Sequence, residues 1–311
     1  IKKVLAYSTV SQLGYMMMGL GVGAWTPAVF HIFTHAFFKC CLFLCAGSVS
    51  HSGSHHSFDM KKDMGGLAKK MPITTATWIV STIALCGVPF FSGFFSKDEI
   101  IDFADHNGYT VFFVIGLVGA FMTTAYMTRA TYLTFFGTPR GAAAGEHHDE
   151  HADAHDAHAA HDAHDAHGHD AHDAHGHEAH GPHESPPLIT VPLVILGVLA
   201  VISGYVNAAP FSIHKFTDWV EPSLDGIHFP VLHHATFEWI KAVPSIVLVA
   251  LGFVVSLGVC KALYGAKASP LKGLTQRVAP LRWGYNFLWN KYYLDALYEK
   301  VVVPVLVGPI S

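Results

Sequence analysis

The sequence contains little charge and few of the residues that build redox or metal centres. Only 14% of its 311 residues are charged and 51% are hydrophobic, with a mean hydropathy of +0.35. A soluble globular domain carries about 25% charged residues, so the composition argues against that class. The five cysteines form no Cys-x-x-Cys pair, and no Gly-x-Gly-x-x-Gly sequence is present. We therefore predict no zinc, iron–sulfur, flavin or nicotinamide site in the chain, and nothing predicts nucleic-acid binding.

The sequence also lacks an initiator methionine and a signal peptide. It begins at Ile1, with Lys2 and Lys3 directly before an apolar run. It stops inside another apolar run, at residues 307–311. From these features we expect a fragment cut from a larger membrane protein.

The sequence instead contains long apolar runs. Crossing about 30 Å of hydrocarbon takes roughly 17–25 residues in a helix. We predict an all-α fold, a polytopic membrane helix bundle that lies in the lipid bilayer. Six stretches qualify as spans: 4–23, 27–49, 72–95, 109–135, 187–206 and 243–263.

The basic residues indicate which side of the membrane each connection faces. If the six spans alternate in direction, four basic clusters share one side, and the other side has only Lys215 and Lys241. The positive-inside rule places the basic side in the cytoplasm, or in the matrix of an organelle. The agreement of four clusters supports the six spans. The clusters are Lys2 and Lys3; Lys61, Lys62, Lys69 and Lys70; Arg140; and Lys261, Lys267, Lys272, Arg277 and Arg282.

Three ionisable residues interrupt the second span at a spacing of four. His31, His35 and Lys39 share one face of a helix and form a file about 12 Å long, at roughly 1.5 Å per residue. Each ionisable group at bilayer depth costs about 2.5–3.5 kcal/mol. Neutral imidazole accepts a proton at one nitrogen and donates at the other. The file therefore indicates proton transport.

The third predicted span contains helix breakers followed by charges. Gly87, Pro89 and Gly93 lie in its middle, and Lys97 and Asp98 come soon after. Proline removes a backbone donor, and interrupted helices of this kind mark ion pathways in transporters. Burial disfavours the charged form of a lysine, and a neighbouring carboxylate would hold it charged. The alternative is that Lys97 ends the span and reaches the membrane interface.

Histidine dominates one low-complexity segment. Residues 146–184 hold fourteen of the 24 histidines, mixed with Asp, Ala and Gly. We predict a disordered loop, because this composition has little to bury. It binds Zn²⁺, Cu²⁺ or Ni²⁺ weakly, or it is a tolerated insertion with no role. Zinc transport is disfavoured, because lysines in the membrane repel a cation and the spacing of four does not gather ligands.

The C-terminal segment has an amphipathic pattern that distinguishes it from the spans before it. From residue 285 to residue 307 apolar side chains share one face, and charges and Pro304 disfavour another span. We predict four regions: a transmembrane bundle at 1–140, the histidine-rich loop at 141–186, two further spans at 187–283, and an amphipathic helix starting at 284–311.

Several motifs in order resemble the antiporter-like L subunits of bacterial NADH–quinone oxidoreductase, respiratory complex I. The resemblance is close over residues 1–100 and looser beyond. Its most specific motif is GFFSKDEI at residues 93–100. The other matching segments are residues 1–15, 30–39, 64–67, 184–187 and 290–300.

The resemblance implies a role in redox-driven proton pumping. It matches Lys39, His31 and His35 to the central channel lysine and its histidine relay, and Lys97 with Asp98 to the periplasm-facing half-channel. It implies an enzyme subunit with no redox centre, so that NADH, flavin, iron–sulfur clusters and quinone belong to partner subunits in a bacterial inner membrane. The family's earlier half-channel and most of its long lateral helix are missing.

Two other readings remain open, and a third is disfavoured. The same core motifs occur in the large subunit of multi-subunit, Mrp-type Na⁺/H⁺ antiporters and in subunits of membrane-bound hydrogenases. The start of a lateral helix favours complex I. A purely structural membrane anchor explains neither the two lysines within spans nor the broken helix.

Deleting the histidine-rich loop should leave transport intact, because the segment has no apolar surface to pack against the bundle. Proton translocation by the deletion variant in the assembled complex measures this. A loss of translocation would give the loop a functional role.

Overall fold

The computed structural model describes residues 1–145, 181–220, 239–265 and 273–307. Within those ranges the chain is helical, with no β-strand. Two compact units divide it, Ile1–Gly258 and Val259–Ser311. Most of the predicted histidine-rich loop, residues 146–180, lies outside the described residues. The predicted fold class is confirmed.

Each predicted span corresponds to a helix of the structure, and the third corresponds to the shortest of them, Pro72–Cys86. The larger unit begins with α1 (Lys2–Gly21), α2 (Trp25–Ser48), α3 (Pro72–Cys86) and α4 (Glu99–His106). It continues with α5 (Thr110–Thr131), α6 (Pro187–Ile202), α7 (Lys215–Val220) and α8 (Trp239–Tyr264), which runs past its boundary. π-helical turns extend α2 to Gly53 and α5 to Phe136, and a third, Phe94–Asp98, leads into α4.

Among the residues that the structure describes, four helical segments are long and apolar enough to cross a bilayer, and α1 and α3 are not among them. The four are Trp25–Gly53, Thr110–Ala144, Pro187–Asn207 and Trp239–Tyr264. Helix α3 is too short, because it ends after 15 residues. Helix α1 has 20 residues and buries polar side chains as well as apolar ones.

Helix α2 lies at the centre of the bundle. It packs against α1, α3 and α6 and also contacts the turn Phe94–Asp98. Its inward face contributes Phe38, Cys41 and Leu42, all fully buried, to one apolar core that also contains Trp78 and Leu85. The same face carries His31 and Lys39, so the ionisable groups lie inside protein rather than against lipid.

The third predicted span breaks where the glycines and proline predict it. Helix α3 ends at Cys86, and Gly87 takes a left-handed conformation with φ +79°. The chain returns to helix at Phe94, and Gly93 lies so close to the end of α3 that a Cβ would come within 1.9 Å of the Ala84 carbonyl oxygen. Only glycine permits this approach of one backbone to another.

The last residue of the histidine-rich segment, Glu184, caps the other end of α3. Backbone N–H groups of Ile73 and Thr74 donate to Glu184 Oε2 at 2.7 and 3.2 Å, and the Thr74 hydroxyl donates to Oε1 at 2.6 Å. Acidic groups stabilise a helix at its N-terminus. Glu184 therefore belongs to the bundle, and a deletion that tests the loop should spare it.

The smaller unit contains short helices rather than one continuous amphipathic helix. They are α9 (Leu274–Arg277), α10 (Ala279–Trp289), α11 (Leu294–Leu297) and α12 (Val303–Val307), with a π-helical turn, Tyr298–Val302, between the last two. Tyr292 and Tyr293 have φ of 60° and 58°, which a right-handed helix cannot accommodate. The helix predicted from residue 285 is thus interrupted here and resumes at Leu294.

Replacing Gly93 with Ala should destabilise the protein by about 1–3 kcal/mol, because the new methyl group overlaps the Ala84 carbonyl. The thermal unfolding midpoint of the purified protein measures the loss. Gly47→Ala is the matched control, since a Cβ at Gly47 meets no atom within 4 Å. Equal midpoints for the two variants would mean that the two halves of the broken helix do not lie this close.

Candidate functional site

One face of α1 contacts the ionisable residues of the bundle. Ser8, Gln12 and Tyr15 follow each other at spacings of four and three, and all three are buried. This spacing repeats the helical face, so the side chains line up along α1. Each of them contacts a different ionisable group.

His31 joins α1 to the turn that follows the break. Its Nε2 lies 3.1 Å from Gln12 Oε1 and its Nδ1 lies 2.8 Å from Ser96 Oγ. Because an amide oxygen only accepts, this network places the hydrogen on Nε2, so Nδ1 accepts from Ser96. Thr34 Oγ1 lies 2.8 Å from the same Ser96 oxygen. His31 is fully buried and both of its nitrogens have partners.

Lys39 is directed sideways, toward α1 and α5. Its Nζ donates to Ser8 Oγ at 2.6 Å. Ser8 Oγ in turn lies 2.5 Å from the Tyr126 hydroxyl of α5. Lys39 is only 4% exposed, and these hydroxyls supply the polar contact that a buried ammonium requires.

His35 shares the face of His31 and Lys39, as the sequence predicts, without being hydrogen bonded to either. Its ring centroid lies 6.0 Å from that of His31. The ring packs edge-on against Phe38 at 5.3 Å. Its Nε2 is buried without a hydrogen-bond partner among the described residues. The file therefore has a gap between His31 and Lys39.

Lys97 fills the space at the end of α3. Its Nζ donates to the carbonyl oxygens of Leu85 and Cys86 at 3.3 and 3.0 Å. The last carbonyls of a helix have no donor of their own. The ammonium also lies 5.5 Å from the centroid of the Tyr15 ring, a cation–π contact. A Cβ at Gly87 would lie only 3.2 Å from Lys97 Cε, so glycine leaves room for the lysine.

Asp98 points to a different neighbour from Lys97. Oδ1 of Asp98 accepts a hydrogen bond from the Ser245 hydroxyl of α8. Oδ2 is buried and has no hydrogen-bond partner among the described residues. The two adjacent charged residues therefore contact different helices, and the ammonium donates to carbonyls rather than to this carboxylate.

The site thus includes several residues that sequence reasoning missed. Ser8, Gln12 and Tyr15 lie on one face of α1, and their spacing in the sequence could have identified them. Ser96, Tyr126 and Ser245 have no comparable signal, because single hydroxyls are common in membrane helices. The missed residues are Ser8, Gln12, Tyr15, Thr34, Ser96, Tyr126 and Ser245. Within the described ranges, no group of three or more His, Cys, Asp or Glu residues is placed to hold a metal ion.

Comparison with known proteins identifies the family. Residues 1–123 match the family described as NADH:quinone oxidoreductase/Mrp antiporter, TM. "NADH-quinone oxidoreductase subunit L" of Neisseria meningitidis serogroup A is 38% identical over 309 residues, covering 97% of this chain and 42% of that protein. The chain belongs to the NADH:quinone oxidoreductase/Mrp antiporter family. It is therefore a multi-pass membrane protein, and the family resemblance of the sequence is confirmed.

Two further proteins are similar to the chain. "NAD(P)H-quinone oxidoreductase chain 5" of Synechocystis is 38% identical over 328 residues, covering 97% of this chain and 44% of that protein. A solved structure, the Mrp complex of Dietzia, shares 21% identity with a TM-score of 0.51 over 71% of this chain and 43% of its own. That likeness shows the fold. The chain spans less than half the length of these relatives.

Replacing Ser96 with Ala should destabilise the protein by about 1–3 kcal/mol, because His31 Nδ1 and the Thr34 hydroxyl lose a buried partner. Thermal unfolding of the purified protein measures the change. Thr9→Ala is the control, since that hydroxyl bonds only to the Leu5 carbonyl of its own helix. If the Ser96 variant is no less stable than the control, His31 is not hydrogen bonded to the broken segment.

Proposed function

We propose that this chain is part of a proton-translocating membrane subunit of an NADH:quinone oxidoreductase. The observation that carries the proposal is Lys97, a fully buried lysine whose ammonium is held by the carbonyls at the break of α3. A buried lysine that is not paired with a carboxylate is expensive to keep charged. A proton carrier within the membrane needs a titratable group at this depth, and Lys97 supplies one.

The proposed catalytic groups are His31, His35, Lys39, Lys97 and Asp98. Protons pass among the first three and on to Lys97, and they leave toward the side of the membrane opposite the basic loops. The link between α2 and the broken segment supports this order, because His31 contacts Ser96, the residue directly before Lys97 in the chain. The carbonyls and the Tyr15 ring stabilise the charged form of Lys97, and Asp98 is the next residue in the chain and offers a carboxylate that contacts Ser245 of α8.

The remaining assignments follow from the relatives and from the sequence. Other membrane subunits surround the chain, since its relatives are named as subunits of larger oxidoreductases. NADH, flavin, iron–sulfur clusters and quinone are bound by those partners. The membrane is the bacterial inner membrane, and the histidine-rich loop lies on its cytoplasmic side with the basic clusters. The four regions predicted from the sequence describe the bundle, the loop, the later spans and the start of the lateral helix.

A second function is a subunit of a multi-subunit Na⁺/H⁺ antiporter. The family description names both classes, and the Mrp complex shares the fold. The oxidoreductase is favoured, because the relatives that match 97% of the chain at 37–38% identity carry oxidoreductase names.

Replacing Lys97 or Lys39 with Ala in the intact complex should abolish or strongly reduce proton translocation, because the relay loses the group that carries the proton. Proton uptake into inverted membrane vesicles, driven by NADH oxidation, measures it. Lys69→Ala, which removes an exposed lysine, is the control. Proton translocation at the wild-type rate in either the Lys97 or the Lys39 variant would contradict the assignment of these lysines as proton carriers. Na⁺-driven proton transport without NADH would favour the antiporter.

A further inference from the structure

The two polar atoms of the Gln12 side chain face different kinds of partner. Gln12 is fully buried on α1, and its Oε1 lies 3.1 Å from His31 Nε2. Its Nε2 donates to Ser11 Oγ at 3.5 Å. The Ser11 hydroxyl donates its one hydrogen to the Ser8 carbonyl at 2.8 Å, so its oxygen only accepts from Gln12. The amide nitrogen therefore points to Ser11 and the amide oxygen to His31.

The opposite orientation of this amide would leave two oxygens in contact. Gln12 Oε1 would then face Ser11 Oγ with no hydrogen between them, and a buried acceptor without a donor is costly. With the oxygen toward His31, the Nε2 of the ring must donate, because an amide oxygen only accepts. Nε2 therefore carries a hydrogen in the neutral ring and in the charged ring alike.

The other nitrogen of His31 faces hydroxyls that can reverse their hydrogen bonds. Nδ1 lies 2.8 Å from Ser96 Oγ, and Thr34 Oγ1 lies 2.8 Å from the same oxygen. Each hydroxyl also has a backbone carbonyl oxygen at 3.3 Å, that of Ser92 for Ser96 and that of His31 for Thr34. Because a hydroxyl hydrogen rotates to suit its surroundings, each hydroxyl has a choice of two acceptors.

Two complete hydrogen-bond patterns follow, one for each charge of His31. In the neutral ring, Thr34 donates to Ser96, and Ser96 donates to Nδ1. When Nδ1 carries a proton it donates to Ser96, whose hydrogen turns to the Ser92 carbonyl, while the Thr34 hydrogen turns to the His31 carbonyl. The ring gains one hydrogen and one positive charge, each hydroxyl keeps its own hydrogen, and Nε2 keeps its bond to Gln12.

We propose that Gln12 is a positioning residue that restricts proton exchange by His31 to Nδ1, the nitrogen that contacts the broken segment. The proposal rests on the proposed function of His31 as a proton carrier, whose proton comes from and returns to the other carriers of that relay. By holding Nε2 against α1, Gln12 turns the exchanging nitrogen toward Ser96, the residue directly before Lys97. The hydrogen bond of one ring nitrogen sets the state of the other.

NMR of the ring nitrogens reads the tautomer directly, in the intact complex with nitrogen-labelled histidine in this chain alone. The signals of His31 are those that a His31→Gln variant loses. In the wild type we expect neutral His31 to carry its hydrogen on Nε2. A neutral wild-type ring with its hydrogen on Nδ1 would overturn the proposal, and this measurement needs no Gln12 variant to assemble.

Two substitutions of Gln12 should change these signals in different ways. Gln12→Met has a similar length and only a weak acceptor, so we expect both tautomers of His31. Gln12→Glu keeps an acceptor oxygen and adds a negative charge, so we expect a ring that holds hydrogens on both nitrogens. Loss of packing alone predicts no such difference. Wild-type signals in both variants would overturn the proposal.

Proton translocation driven by NADH tests the consequence in the same complexes. Gln12→Met should lower the rate about tenfold or more, because a ring in the wrong tautomer cannot take up a proton at Nδ1. Gln276→Met is the matched control, since it makes the same substitution at an exposed glutamine, and it should translocate at the wild-type rate. A wild-type rate in Gln12→Met would overturn the proposal.

The lysine variants separate this inference from the proposed function. If Lys39→Ala and Lys97→Ala lose translocation while Gln12→Met keeps it, the role of Gln12 is wrong and the lysines keep theirs. If either lysine variant translocates at the wild-type rate, the proposed function falls, and the role of Gln12 in transport falls with it.

Discussion

The end of α3 inside the protein is the constraint on which the rest of the structure depends. Ending a helix there leaves carbonyl oxygens without donors, and burying Lys97 leaves an ammonium without acceptors. Each alone would cost several kcal/mol, and bringing them together at 3.0–3.3 Å offsets both costs. The glycines serve the same contact, because Gly87 leaves room for the lysine and Gly93 lets the chain return against α3.

Helix α3 has a charged group at each end. The Glu184 carboxylate accepts from its first N–H groups, and the Lys97 ammonium donates to its last carbonyls. Both charges match the helix dipole, whose effect acts within a turn of each end. A short helix held in this way is a fixed element against which α2 and its ionisable side chains are placed. Loss or transfer of the Lys97 proton weakens one of these two attachments.

The sequence predicts those features that depend on residues close together in the chain. The shared face of His31, His35 and Lys39 follows from helical spacing, and the break follows from Gly87, Pro89 and Gly93. The partners could not be predicted, because Ser8, Tyr126 and Ser245 acquire their roles only through contacts between distant helices. The same limit explains why the different partners of Lys97 and Asp98 could not be predicted, although the two residues are neighbours in the chain. The turn at Tyr292 and Tyr293 was not predicted either, because tyrosine is not a typical turn residue.

The contact between Lys97 and the end of α3 holds the central place in the site, and a density map of the intact assembly tests it most directly. At a resolution that shows backbone carbonyls, we expect α3 to end at Cys86, with Lys97 Nζ within hydrogen-bonding distance of the Leu85 and Cys86 oxygens. A helix that continues through Gly87, or a Lys97 side chain paired with Asp98 and turned away from these carbonyls, would contradict it.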